Sequence, residues 1–144
     1  MTNPKMERLS IVIYDGHFDK VHYGLAMASS AAAMDIPVTL FFTMSACRGL
    51  MDDWRDMPIS PGQEIESRDS GGSMDERFAE QKIATFDELL SACVEMDVTF
   101  MVCEMGLKAR DLSADDLRKD VPIKPGGLVT FLSDTAQHGN VVFI

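Results

Sequence analysis

Thiols are the groups in this chain best suited to covalent chemistry, and one of them sits where such chemistry is usually done. In "VTFMVCEMGLKARDL", residues 98 to 112, an apolar run ends on Cys103 and passes at once into a segment with helical features. A helix starting there turns its positive end toward the sulfur and favours the thiolate, the nucleophilic form; Lys108 or Arg110 would add to this and Glu104 would oppose it. Cys47, in "FFTMSACRG", follows a second apolar run by a few residues, next to Arg48, and is the candidate second thiol. Cys93 falls on the apolar stripe of a helix and reads as core. By residue type alone, a cysteine that closes a buried strand is more often a small core side chain than a nucleophile, so Cys103 and Cys47 stand out by position only.

Other groups with chemical potential cluster early. His17 and His22 lie in and just after the polar "DGHFDK", flanked by Asp15 and Asp19. Two histidines five apart with two distant thiols match no known metal spacing, so no metal site is expected and solvated or helix-capping roles suit the histidines better. The two aspartates could assist proton transfer, although loop aspartates more often satisfy turns.

Composition narrows the function classes. With a formal charge of −10 over 144 residues, the surface repels phosphate backbones and anionic headgroups, and no basic patch is gathered against this, so nucleic acid is not an expected partner. No apolar stretch approaches the roughly 20 residues needed to span a bilayer. The opening "MTNPKMERLSIVIYDG" has a short apolar part after charged residues and no small-residue cleavage site, which makes a cytoplasmic location the expectation. Three cysteines, an odd number, argue against a disulfide framework.

The elements that must position these residues follow from periodicity. "LSIVIYD", Leu9 to Asp15, is a buried strand; Val21, Leu25, Ala28 and Ala32 mark one face of a helix; "DIP" breaks it before a second strand, Val38 to Thr43. Strands this continuously apolar, joined by a helix, are parallel and covered on both faces. A short helical "RGLMDDW" precedes a Pro-, Gly- and charge-rich stretch from Arg55 to Gly72, expected to be a mobile or closing loop at 55–72. "SMDE" at Ser73 to Glu76 has the form of a capping box for one long helix with Ala79, Ile83, Phe86, Leu90 and Cys93 on its stripe. Val98 to Cys103 is the third strand. A short helix in "EMGLKARDL", a helical start in "SADDL", a brief fourth strand near Val121, a helix in "GLVTFLSDTAQ", the turn "HGN" and a last strand "NVVFI" complete the chain. The expected architecture is one α/β domain over 1–144: a three-layer α/β/α sandwich, flavodoxin-like, with a mainly parallel sheet of about five strands. In such sheets reactive groups gather at the carboxyl ends of the strands, which is where Cys103 falls.

"VTFMVCEMGLKARDLSADDL", "KPGGLVTFLSDTAQHGNVVFI", "LFFTMSACRGL" and "YDGHFDKVHYGLAMASSAAAMDIPV" together resemble the DsrE/DsrF-like family, in its branch labelled peroxiredoxin-like, over nearly the whole chain. The most specific parts are the strand-end cysteine followed by "EMG", the "GG" before the last helix and "FFT" before a Gly-Leu pair. The resemblance implies a DsrE-like α/β fold, a homo-oligomer, and a sulfur-relay role in which the cysteine matching the family position, Cys103, carries sulfane sulfur as a persulfide between donor and acceptor proteins. Relatives commonly place Trp-Gly after "FFT" where this chain reads "MSACRG", so Cys47 stands outside the pattern. Three readings follow: a sulfur carrier or transferase; a small-ligand-binding or regulatory module whose pocket Cys103 merely lines; and a thiol redox protein pairing Cys47 with Cys103. No cofactor is expected, since "DGHFDK" lacks the hydroxyl- and glycine-rich cradle that holds a flavin phosphate.

Overall fold

The computed structural model of the chain describes residues 6–135, 137 and 139–144; part of the turn "HGN" and of the stretch ending "TAQ" lies outside them. Five strands form one sheet: β1 (Leu9–Ile13), β2 (Val38–Phe42), β3 (Thr99–Cys103), β4 (Ile123–Gly126) and β5 (Asn140–Phe143). Every neighbouring pair is parallel, in the order β4-β3-β2-β1-β5. The three central strands are apolar runs because each is covered on both faces, as parallel strands require.

That order decides how the two faces are covered. The first three connections step across the sheet in the same direction, and right-handed crossovers place them on one face. There α1 (Phe18–Ala33), α2 (Gly71–Glu80), α3 (Phe86–Glu95) and α4 (Glu104–Ala109) enclose the main core with Ile11, Ile13, Leu40, Phe42, Phe100 and Val102. The last connection runs back from β4 past β1 to β5, and the same handedness sends it over the opposite face. It consists of α5 (Leu128–Thr130), continued by a π-helical turn, Phe131–Thr135. Because strand side chains alternate, Val12, Phe41, Met101 and Cys103 point to this second face, where Phe131 covers them. Phe131 stacks on Phe41 with ring centroids 4.6 Å apart. Among the described residues the second face is thus thinly covered, and Val129 (82% exposed), Leu132, Val141 and Phe143 (67% exposed) stay open along it.

Two elements depart from the sequence-based expectation. The single long helix is two, because a second capping box, Thr85 with Glu88, starts α3: the Thr85 hydroxyl accepts from Glu88 N at 3.4 Å and Glu88 Oε1 accepts from Thr85 N at 3.4 Å. Ala79 and Ile83 are exposed in consequence, while Phe86, Leu90 and Cys93 are buried. The first of the two helices starts earlier than "SMDE" implies, with Ser70 as its cap and Ser70 N donating to Ser73 Oγ at 2.9 Å. Within 55–72, Met57 and Ile59 are buried, Pro58 O accepts from Phe18 N at 2.8 Å, and Asp19 Oδ1 accepts from Ser60 N at 2.8 Å. Residues 61–68 are exposed. No helix among the described residues is long and apolar enough to cross a membrane.

Candidate functional site at the carboxyl ends of the strands

Cys103 is the last residue of β3 and the N-cap of α4, so the strand passes straight into the helix. The residue is 1% exposed and packs with Val12, Phe41, Met101 and Phe131 under the second face. Glu104 opens the first turn of α4. Lys108 and Arg110 sit at the far end of this six-residue helix, so the structure does not bring them beside the sulfur.

Cys47 lies in a seven-residue 3₁₀ helix, Met44–Leu50, just after β2. It is fully buried on the first-face side of the sheet. Burial first, and then the neighbouring Cys103, push its thiol up to about 12, so at neutral pH it holds its proton. The two thiols therefore share the carboxyl edge, with Cys103 close enough to help raise the Cys47 thiol, one facing each side of the sheet. Cys93 packs inside α3, with Sγ 3.8 Å from Leu25 O, and burial pushes it up to about 12 as well.

The turn holding Cys47 is set by close packing. Met44 has φ 53°, a left-handed backbone that a side chain adopts at a cost of roughly 1 kcal/mol. Gly106 of α4 rests on it: a Cβ there would lie 2.5 Å from Met44 N and 2.5 Å from Thr43 Oγ1. Gly16 plays the same part for the loop after β1, where an added Cβ would sit 2.4 Å from Ser45 Cβ. Two glycines thus let α4 and the β1 loop close on the turn after β2.

This closure forms a cavity of about 470 Å³ at the strand ends, lined by Gly16, His17, Ser45, Arg48, Asp56, Pro58 and Arg110. His17 donates from Nδ1 to Asp15 Oδ1 at 2.5 Å, and the same oxygen accepts His17 N at 2.9 Å. Lys20 Nζ donates to Asp15 Oδ2 at 3.1 Å. Burial alone would raise Asp15, but these donors outweigh it and hold the carboxyl below its ordinary value. Arg48 pairs with Asp53. His22 does not reach the cavity; it is buried between Phe18 and Phe78 and donates from Nε2 to Ala84 O at 2.8 Å, holding the link between α2 and α3. Asp19 is spent on Ser60 N. Sequence reasoning missed Ser45 and Asp56 as cavity residues, and the tight Gly16–Ser45 approach that brings them there leaves no local signature.

A family model for the DsrE/DsrF-like family matches residues 9–143, from the first residue of β1 to the last of β5. Among solved structures, a protein of unknown function from Methanobacterium thermoautotrophicum superposes with a TM-score of 0.55 at 14% identity, over 95% of this chain and 98% of that one. At this identity the likeness speaks for the fold alone. Among curated proteins none matches. The match spans the whole sheet, so the chain belongs to the DsrE/DsrF-like family.

Proposed function

We propose that the protein is a sulfur-relay carrier that holds sulfane sulfur as a persulfide on Cys103. The observation that carries this reading is a cysteine closing β3 and opening α4 in a chain of this family. In the loading step the Cys103 thiolate attacks the outer sulfur of a donor persulfide; the donor S–S bond breaks, its electron pair leaves on the donor thiolate, and Cys103 gains the sulfur. In unloading, an acceptor thiolate attacks that sulfur and Cys103 is released as thiolate, so no external oxidant or reductant is needed. Carrier and transferase are the same chemistry viewed from one side or the other. The buried setting of Cys103 shields a bound persulfide from bulk thiols and makes loading depend on an opening of the second face or on a docked partner.

The partners under this reading are a sulfur-donor and a sulfur-acceptor protein in the cytoplasm, with the protein itself a homo-oligomer. Support for self-association comes from Val129, Leu132, Val141 and Phe143, apolar and open along one layer. A second reading, a thiol redox protein using Cys47 and Cys103, is supported by the nearness of the two at the carboxyl edge, where Cys103 helps raise the Cys47 thiol.

The test is mass spectrometry after treatment with polysulfide or a persulfidated donor. Wild type should gain sulfur on Cys103, and Cys103→Ser should not; undiminished loading of Cys103→Ser removes the assignment. A product bridged to Cys47, lost in Cys47→Ser, favours the redox pair.

A further inference from the structure

The cavity at the carboxyl ends of the strands has its own donor set, and neither Cys47 nor Cys103 lines it. Asp15, as a carboxylate, can only accept from His17 Nδ1, so the proton of the neutral ring sits on Nδ1 and Nε2 carries a lone pair. Nε2 has no partner among the described residues. Arg110 makes no side-chain hydrogen bond or ion pair among them either, and Arg48 commits one terminal nitrogen to Asp53 and keeps its other donors. The Ser45 hydroxyl is likewise uncommitted. Asp56 also lines the cavity, and its carboxylate repels anionic oxygens from that wall, so a ligand turns them toward the arginines.

The geometry points to a binding site for a small oxyanion that also carries an O–H group, such as hydrogen phosphate or a short hydroxy acid. Its anionic oxygens meet the guanidinium groups of Arg110 and Arg48 and the Ser45 hydroxyl; its O–H donates to His17 Nε2, which Asp15 holds in the accepting tautomer. Arg110 supplies affinity. His17 supplies selectivity, because a ligand lacking the O–H leaves the lone pair unmet.

Calorimetric titration at constant ionic strength tests this with two matched pairs, hydrogen phosphate against sulfate and glycolate against acetate. The expected result is saturable one-to-one binding of at least one O–H-bearing probe, about tenfold tighter than its partner lacking the O–H. Whichever pair binds tells the phosphate class from the hydroxy-acid class. Arg110→Gln should weaken binding about tenfold. His17→Ala should erase the difference within the pair, and Lys119→Gln, a remote cation, should leave both unchanged. Cys103→Ser should bind as wild type does, so failure of sulfur loading and failure of this site are separately visible. Absence of saturable binding by both O–H-bearing probes overturns the proposal. So does a preference that survives His17→Ala, or equal weakening by Lys119→Gln and Arg110→Gln.

Discussion

Removing the ring of Phe131 should uncover Cys103 faster than it unfolds the protein. Phe131 is buried to 1% exposure and is the side chain of the last crossover that packs with Val12, Phe41, Met101 and Cys103. Truncating a buried phenylalanine to alanine costs about 3–5 kcal/mol, of which the stack on Phe41 accounts for roughly 0.5–1.5. The short helical segment carrying it can settle toward the sheet, so the lower end, about 3 kcal/mol, is expected for Phe131→Ala. For a domain of this size that is a fall of roughly 6–12 °C in Tm. If Cys103 were reached only by global unfolding, 3 kcal/mol would speed its labelling about 100-fold, and any other variant of equal stability would do the same. Leu90→Ala, in α3 on the first face, serves as that control. With Cys47 and Cys93 replaced by serine in all proteins, labelling of Cys103 by a disulfide reagent is followed beside denaturant melts. Phe131→Ala should label faster than Leu90→Ala once both are corrected to the same stability. Equal corrected rates would refute the reasoning, since they would mean that the second-face cover is not what guards the thiol.

Gly106→Ala should destabilise by about 1–2 kcal/mol in urea melts, because a Cβ 2.5 Å from Met44 N forces backbone apart and overpacking outweighs the roughly 1 kcal/mol gained in helix propensity. Gly127→Ala, whose Cβ would meet nothing within 4 Å, is the near-neutral comparison. Stability should also decline in alkali: Cys47 and Cys93 ionise at about 12 in the fold against an ordinary 9.0, so their contribution is complete below pH 9.0 and is lost as pH rises toward 12. Urea midpoints measured across that interval should fall less steeply in a Cys93→Ala protein than in wild type. Light scattering should give a mass above that of one chain, and Phe143→Glu, placing a charge on an exposed apolar strand position, should shift it downward.

The sheet was readable from sequence because its strands are buried on both faces, and continuous runs such as "LSIVI" and "VTLFF" carry that signal themselves. The joined helix was misread because Ala79, Ile83, Phe86, Leu90 and Cys93 keep a helical spacing across a real break, while "TFDE", the cap that makes the break, was hidden by that stripe. Cys103 and Cys47 were legible as strand-end residues. Which side of the sheet each thiol faces was not, since it depends on strand alternation continued through a turn whose left-handed Met44 has no sequence mark. The cavity escaped for a related reason: it is made by four separate segments meeting, and the Gly16–Ser45 contact exists only once β1 and β2 are in register.

The position of β5 has a consequence for the order in which the protein can assemble. It pairs with β1, Leu9 opposite Asn140, and Ile144 O accepts from Tyr14 N at 2.7 Å and from Asp15 N at 3.2 Å. The loop that presents His17 is therefore anchored by residues at the other end of the described chain. Closing so long a stretch is entropically slow, and until it happens one side of β1 is an open strand edge able to pair with another molecule. A nascent chain can complete α1, the first-face core and the Cys47 turn while this edge waits. Maturation of the oxyanion cavity thus comes last, and slippage of β5 during folding would disable it while leaving most of the helical content in place.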